Sequence, residues 1–323
     1  MEQLLDVEVT SVLKRPQKLS DTASAIQVIT HDDIQRSGAT SLPEALRLVA
    51  NLQVARIDSV QYAVSARGFN NAIGNKLLVL IDGRTVYTPL FSGVFWEQQD
   101  VMLEDVERIE VISGPGAALW GANAVNGVIN VVTWPAQDTQ GLFVAANGGS
   151  DERGLALRYG GSLGEGEPAE TGHYRVYAKA TGLENTTNAS GTALRNSWDR
   201  AQGGFRADWN AANGMFTVQG DVYDGRSEHR GFVGAIEIPE TQVSGANVLA
   251  RWSAQLDDDS DIRVQAYLDH AERDEAVVFR PKSDIFDLEF QRGFRRSAHR
   301  LLWGGGYRHA RDEVRQGLLI GFI

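Results

Sequence analysis

VERIEVISGPGAALWGANAVNGVINVVT, residues 106–133, is the stretch whose reading decides the fold. ERIEVI reads as a strand that breaks at Ser113-Gly114-Pro115-Gly116. Glycine allows the backbone conformations that a tight reversal needs, and Pro115 fixes one φ angle. A short apolar turn with Trp120-Gly121 follows, and GVINVVT returns as a second strand. A glycine-rich loop between strands also raises the question of a phosphate cradle. No Gly-Lys-Ser/Thr follows it, and no G-x-G-x-x-G opens a helix between parallel strands, so the pattern is not a nucleotide loop.

Upstream lie Ala66-Arg67-Gly68-Phe69-Asn70 and Leu78-Val79-Leu80-Ile81-Asp82-Gly83-Arg84. Residues 26–29 alternate as a short strand, and Thr30 with Asp33 three positions on predicts a capped helix over 32–37. Ser41 is placed to cap a second helix, with Pro43 in its first turn and Ala45, Leu46, Leu48 and Val49 as its apolar face. Strands are expected at 62–66, 76–81, 108–112 and 128–133, and Asp82-Gly83 reads as a hairpin turn rather than a catalytic acid. This first part is a small α+β domain.

After Trp134-Pro135 the pattern changes to period two, recurring roughly every 20 residues between Gly, Asn and Asp clusters. Tyr174, Val176, Ala178 and Ala180 share one face; Arg175, Tyr177 and Lys179 share the other. Ala246, Val248, Ala250, Trp252, Ala254 and Leu256 oppose Asn247, Arg251, Ser253 and Gln255 in the same way. Ile262, Val264, Ala266 and Leu268 alternate with Arg263, Gln265 and Tyr267, and Phe286, Leu288 and Phe290 with Asp287, Glu289 and Gln291. Leu301, Trp303, Gly305 and Tyr307 share a further face. Runs of about 9–11 residues with aromatics near their ends fit outer-membrane barrel strands, and alternation alone equally fits a soluble antiparallel sheet. About nine or ten such strands are expected by this pattern.

The chain has 323 residues, 42% hydrophobic and 23% charged, enough for one large domain or two ordinary ones. No apolar run approaches the ~18–20 residues of a membrane helix, which leaves a β-barrel as the membrane option. The absence of cysteine removes disulfides, thiol catalysis and cysteine metal sites. A net charge of −11 argues against non-specific nucleic-acid binding. The six histidines show no ligand spacing. Asp257-Asp258-Asp259-Ser260-Asp261 lacks the spacing and glycine of a calcium loop and reads as a solvated turn. No nucleophile elbow or Ser/His/Asp order points to an enzyme, and no protein-held cofactor or metal is expected.

In their order and spacing, the three blocks around Arg67, Asp82 and Pro115 resemble the plug domain of TonB-dependent outer-membrane receptors over about residues 6–135. The resemblance implies an α+β plug domain followed by antiparallel transmembrane β-barrel strands, an incomplete part of a barrel of about 22 strands. The implied divisions are residues 1–20, 21–135 and 136–323. Such a protein resides in the bacterial outer membrane, among its lipids, and is made with a signal peptide. Residues 1–9 show no basic or apolar leader, so a mature, trimmed or truncated chain is expected.

The family engages TonB, with the inner-membrane ExbB/ExbD complex, through a short N-terminal segment that adds a strand to the partner's sheet. Asp6, Val7, Glu8, Val9, Thr10, Ser11 and Val12 look like that segment, an extended β-branched run suited to main-chain pairing. Arg67 matches an arginine that locks plug to barrel; the position of the second lock arginine holds Ser113. Family resemblance places ligand contacts on apical loops, here Asn70, Asn71, Tyr87, Phe91, Phe95 and Trp96, although these aromatics equally suit packing within the plug. The implied ligand is a metal chelate, first a ferric siderophore, with cobalamin, haem or an oligosaccharide as alternatives. A plug-like binding or signalling fragment that transports nothing is the competing function.

Overall fold

The computed structural model describes residues 8–10, 17–21, 24–68, 70–116, 120–121, 123–164, 172–211, 214–228, 232–233, 236–237, 240–275, 278–297 and 299–317. The chain divides into two compact units, Met1–Trp134 and Pro135–Ile323.

The first unit runs β1 (Glu8–Val9), β2 (Gln17–Lys18), β3 (Ile26–Thr30), α1 (His31–Ser37), α2 (Leu42–Ala45), β4 (Leu52–Arg56), β5 (Tyr62–Ala66), β6 (Leu77–Ile81), β7 (Arg84–Thr85), β8 (Val106–Ser113) and β9 (Gly127–Thr133). Its main sheet has five strands in the order β3-β8-β9-β6-β7. All neighbours are antiparallel except β6 and β9, which run parallel. β1–β2 and β4–β5 form separate two-stranded pairs. One face of the main sheet buries Ile29, Val79, Ile109, Val111, Ile129 and Val131 with Ile34, Leu42 and Leu46 from the helical segment. The other buries Leu78, Leu80, Ile112 and Val128, with Ile26 and Trp120 against them.

Local chemistry sets the element ends. Thr30 Oγ1 accepts from the Asp33 amide at 3.2 Å while the Asp33 carboxylate accepts from the Thr30 amide at 3.0 Å, closing both halves of a capping box. Gly38, at φ 71°, ends α1 in the left-handed region. Ser41 has the extended backbone of an N-cap, yet its hydroxyl makes no cap bond to α2, contrary to the sequence reading. Leu48 is 47% exposed and falls outside the apolar face assigned to it. α2 is four residues long and passes into a 3₁₀ turn, which rotates Leu48 off the α-helical stripe.

Asp82 (φ 49°) and Gly83 (φ 84°) make the two-residue turn between Ile81 and Arg84, as both central positions of such a hairpin require. The Asp82 carboxylate accepts from the Thr133 amide (2.9 Å) and hydroxyl (2.7 Å), fastening the turn to the end of β9. Tyr62 donates its hydroxyl to Glu44 at 2.9 Å, and burial pushes the phenol up to about 12 from 10.0. Because the folded value lies above the unfolded one, the stability this group confers is complete below pH 10 and is lost as pH rises toward 12. Hydrogen exchange of the β4–β5 amides should therefore accelerate across that interval, and Tyr62→Phe should flatten the dependence.

The second unit runs β10 (Gly141–Gly148), β11 (Glu152–Leu163), β12 (Gly172–Leu183), β13 (Trp198–Ala211), β14 (Gly214–Ser227), β15 (Phe232–Val233), β16 (Ile236–Glu237), β17 (Thr241–Asp257), β18 (Ser260–Asp274), β19 (Phe279–Arg296) and β20 (His299–Gln316). Nine of these form one sheet in the order β10-β11-β12-β13-β14-β17-β18-β19-β20. Every neighbouring pair is antiparallel. β19 and β20 reach 18 residues, longer than the runs expected from apolar alternation. Their outer ends pair through charged residues, such as Glu272 opposite Lys282 and Lys282 opposite Glu313, which carry no hydrophobic signal. Asp257 Oδ1 accepts from the Asp259 amide (2.9 Å) and Oδ2 from the Ser260 hydroxyl (2.7 Å), so the acidic run is a turn braced by its own first carboxylate.

Candidate functional site

Strand directions in the first unit bring three loops to one end of its main sheet. β8 ends there and β9 begins there; β6 begins there too, because it is parallel to β9. The Gly114 amide bonds the Asn126 carbonyl (2.9 Å), the Gly116 amide bonds the Ala124 carbonyl (2.9 Å), and the Asn126 amide bonds the Lys76 carbonyl (2.8 Å). Three asparagine side chains then tie loop to loop. Asn126 donates to the Ala66 carbonyl (2.9 Å), Asn123 to the Ser92 carbonyl (2.7 Å) and Asn75 to the Phe91 carbonyl (3.3 Å). None of the three was foreseen, since an asparagine among glycines signals only a turn.

Of the expected ligand residues, Asn70 and Asn71 are exposed at this end, beside Ile73, which is 63% exposed. Tyr87, Phe91 and Phe95 are half-buried, the two phenylalanines edge to face at 5.0 Å. Trp96 is 7% exposed and belongs to the core with Val94 and Val101, so its reading as a ligand contact is corrected to packing. Arg67 stands exposed at φ 60°, just past β5, whose five residues are all buried. Its Nη2 lies 3.6 Å from where a Cβ on Gly114 would sit, an ordinary contact, so the backbone φ of 129° rather than space favours glycine there.

The N-terminal candidate segment is only partly within the described residues; Asp6, Val7, Ser11 and Val12 lie outside them. Glu8 and Val9 pair with Lys18 and Gln17, and Val9 is fully buried. The Thr10 amide donates to the Glu110 carboxylate at 3.0 and 3.1 Å. These residues are thus held against the unit rather than free, an arrangement that no local pattern reveals. Next to Glu110, Arg108 is shared with Glu107 (2.5 Å), whose carboxyl is pushed up by burial against the opposing pull of that arginine.

The nine-stranded sheet has an unusual distribution of polarity. One face presents Leu142, Val144, Leu155, Leu157, Val176, Phe205, Val222, Val248, Leu268 and Leu288 to the outside, with Val222 60% and Leu268 54% exposed. The opposite face is polar and buried: Gln202 is 7% and Gln265 3% exposed. There Tyr177 donates to Asp221 (2.5 Å) and accepts from Gln202 (2.6 Å), while Arg206 (2.8 Å) and Thr217 (2.6 Å) hold Asp208. Asp208 also accepts from the Ala136 amide (2.7 Å), anchoring the start of this unit to β13.

Water-soluble sheets place apolar residues inside; this sheet does the reverse, as a lipid-facing barrel wall does. On β18 the outward run from Ile262 to Leu268 covers about 20 Å, close to the ~25 Å apolar band of such walls. Aromatic pairs line one margin of the band: Trp209–Phe216 (4.8 Å), Phe290–Trp303 (5.3 Å) and Tyr159–Tyr174 (6.4 Å). Charged pairs line the other: Arg153–Glu184 (2.7 Å), His270–Asp284 (2.6 Å), Arg280–Asp274 (2.6 Å) and Lys282–Glu272. The turn 258–259 lies at the aromatic margin, and the longer connection 184–197 at the charged one. Among the described residues no cluster of His, Asp and Glu could hold a metal ion, and no helix is long and apolar enough to cross a membrane.

Residues 18–128 match the family described as TonB-dependent receptor plug domain. The chain is 32% identical over 151 residues to the vitamin B12 transporter BtuB of Vibrio vulnificus, a match spanning 46% of this chain and 24% of that protein. It is 31% identical over 180 residues to the protein of that name from Photobacterium profundum, covering 55% and 28% of the two chains. Among solved structures, the pyoverdine outer membrane receptor FpvA of Pseudomonas aeruginosa PAO1 superposes with a TM-score of 0.73 at 14% identity over 95% of this chain and 49% of its own. The siderophore receptor PiuA of Acinetobacter baumannii gives 0.72 at 17% identity, over 97% and 49%. The matches thus span about a quarter of the curated relatives and about half of the solved chains. Residues 18–128 are thus a TonB-dependent receptor plug domain, and the sheet that follows, apolar on one face and polar on the other, has the fold of the barrel strands in the superposed receptors.

Proposed function

We propose that the chain belongs to an outer-membrane receptor that binds a scarce nutrient chelate and imports it with energy passed through TonB and its ExbB/ExbD complex. The observation that carries this reading is the outward apolar band of the nine-stranded sheet behind a plug domain. In this assignment residues 1–20 carry the TonB-binding segment (Asp6, Val7, Glu8, Val9, Thr10, Ser11, Val12), 21–135 the plug and 136–323 barrel strands. Asn70, Asn71, Tyr87, Phe91 and Phe95, with Ile73 between the loops, form the ligand-facing end. Arg67 remains the candidate plug lock. Half-buried aromatic rings beside exposed amides suit a large organic ligand with a polar rim.

A ferric siderophore fits the superposed pyoverdine and PiuA receptors. Cobalamin is the second reading, favoured by the curated relatives matched in sequence, which are vitamin B12 transporters. Neither ligand is named by a residue of the loop cluster itself.

The test is binding of the full chain to the periplasmic domain of TonB, with Val9→Pro beside it. Proline removes the backbone donor that strand addition uses, so binding should fall by tenfold or more, on the order of 1.4 kcal/mol or above. Binding that is absent in both proteins, or equal in both, would sink the assignment.

A further inference from the structure

The outward face of β11–β14 carries a trough. The strand register lines up Leu157, Ala178, Gly203 and Val222 in one row across the four strands, and Leu155, Ala180, Ala201 and Asp224 in the next. Alanine and glycine on β12 and β13 thus make a low floor two strands wide. Leu155 and Leu157 stand along one side of it and Val222 along the other. Neighbouring strands lie about 4.8 Å apart, so the two sides are about 14 Å from each other. Two contiguous cavities of about 430 and 450 Å³ occupy the trough and share Leu155, Ala180, Ala201 and Asp224.

Both ends are closed. The row below the floor holds the bulky Tyr159, Val176 and Phe205. At the upper end Arg153 on β11 reaches across Gly182 on β12 to Asp199 on β13, at 3.1 Å. A Cβ on Gly182 would lie 2.7 Å from Arg153 Nε and 3.0 Å from Asp199 Oδ1, so a side chain there would displace the bridge.

Charge at this upper end is unevenly matched. Arg153 is already shared by Glu184 (2.7 Å) and Asp199 (3.1 Å). Asp224 and Arg226, about 7 Å apart along β14, are both exposed on the outward face. Among the described residues neither has a polar partner. Two cations, Arg153 and Arg226, therefore meet three carboxylates, Glu184, Asp199 and Asp224.

We infer that the trough binds one phospholipid with a phosphoethanolamine head: an acyl chain lies on the alanine and glycine floor, Arg226 takes the phosphate and Asp224 the primary ammonium. This rests on the reading of the outward face as lipid-exposed, and adds which lipid it selects and where. A fatty chain is the apolar body that such a face meets. A guanidinium binds phosphate through paired N–H donors, and a carboxylate accepts from a primary ammonium. The quaternary nitrogen of a choline head has no N–H to give Asp224. A head with net negative charge meets the surplus carboxylate, and like charges brought together are repelled.

The test reconstitutes the full chain in vesicles of equal parts phosphatidylethanolamine, phosphatidylcholine and phosphatidylglycerol. The protein is then extracted into mild detergent and weighed with its retained lipid by native mass spectrometry. One phosphatidylethanolamine should be held about tenfold in preference to either competitor. Asp224→Asn should erase the preference over phosphatidylcholine, and Arg226→Gln should lower retention of all three lipids. Ala180→Leu fills the floor, leaves every charge in place and should abolish retention, whereas Ala266→Leu on the outward face of β18 should leave it unchanged. Equal retention of the three lipids overturns the inference, as does a preference that survives Asp224→Asn, Arg226→Gln or Ala180→Leu. Such a result leaves the lipid-facing wall standing, because quenching along β18 reads the wall separately.

Discussion

Arginine in place of Leu288 should destabilise the inserted sheet by about 2–4 kcal/mol, the cost of a cation at the middle of a lipid-facing barrel wall. Leu288 faces outward at the centre of β19's apolar run, opposite Ala266 on one side and Tyr307 on the other. Phe286 and Phe290 flank it along the strand, so its guanidinium would have no nearby polar margin to reach. The same substitution at Ser244, which sits on that face between Asp224 and Glu272, should cost at most about 1 kcal/mol, because the charged margin begins there. Denaturant unfolding of the full chain reconstituted in lipid vesicles measures both. The contrast is decisive because Leu288 is 40% exposed, and on a water-facing sheet such a change stays within about 0.5 kcal/mol.

Ile129→Ala should cost the plug about 2–5 kcal/mol, through lost burial and the cavity left behind. Ile129 is fully buried at the centre of β9, with Val111 of β8 on one side and Val79 of β6 on the other. It stands where the parallel and antiparallel halves of the sheet meet, so little can relax into the space. Val125→Ala, at a residue 50% exposed in the preceding loop, should change stability by less than about 0.5 kcal/mol. Hydrogen exchange of the β6, β8 and β9 amides in the full chain reads the difference for this unit alone. Equal protection in the two variants would remove Ile129 from the core that the sheet is argued to build.

Much of this was legible because it is local. The Thr30–Asp33 cap, the Asp82-Gly83 turn and the outward sets on β12, β17, β18 and β19 depend on residues within a few positions of one another. The parallel pairing of β6 with β9 could not be read, since the two strands are joined through β7 and β8. Trp96 misled for a related reason: aromatic residues among glycines resemble an exposed loop until Val94 and Val101 close around one of them. The β18–β20 ends were underestimated because alternating charges carry no apolar period. The bond from the Thr10 amide to Glu110 was invisible too, since 100 residues separate the two in the sequence.

The barrel wall is tested most directly by a lipid-accessibility scan along β18. Single cysteines at positions 262 to 268 of the full chain in vesicles, each carrying a fluorophore, would be read with a quencher attached to lipid tails. Strong quenching is expected at Ile262, Val264, Ala266 and Leu268, and weak quenching at Arg263, Gln265 and Tyr267. Uniform quenching, or alternation of the opposite phase, would contradict a barrel wall and with it the receptor assignment.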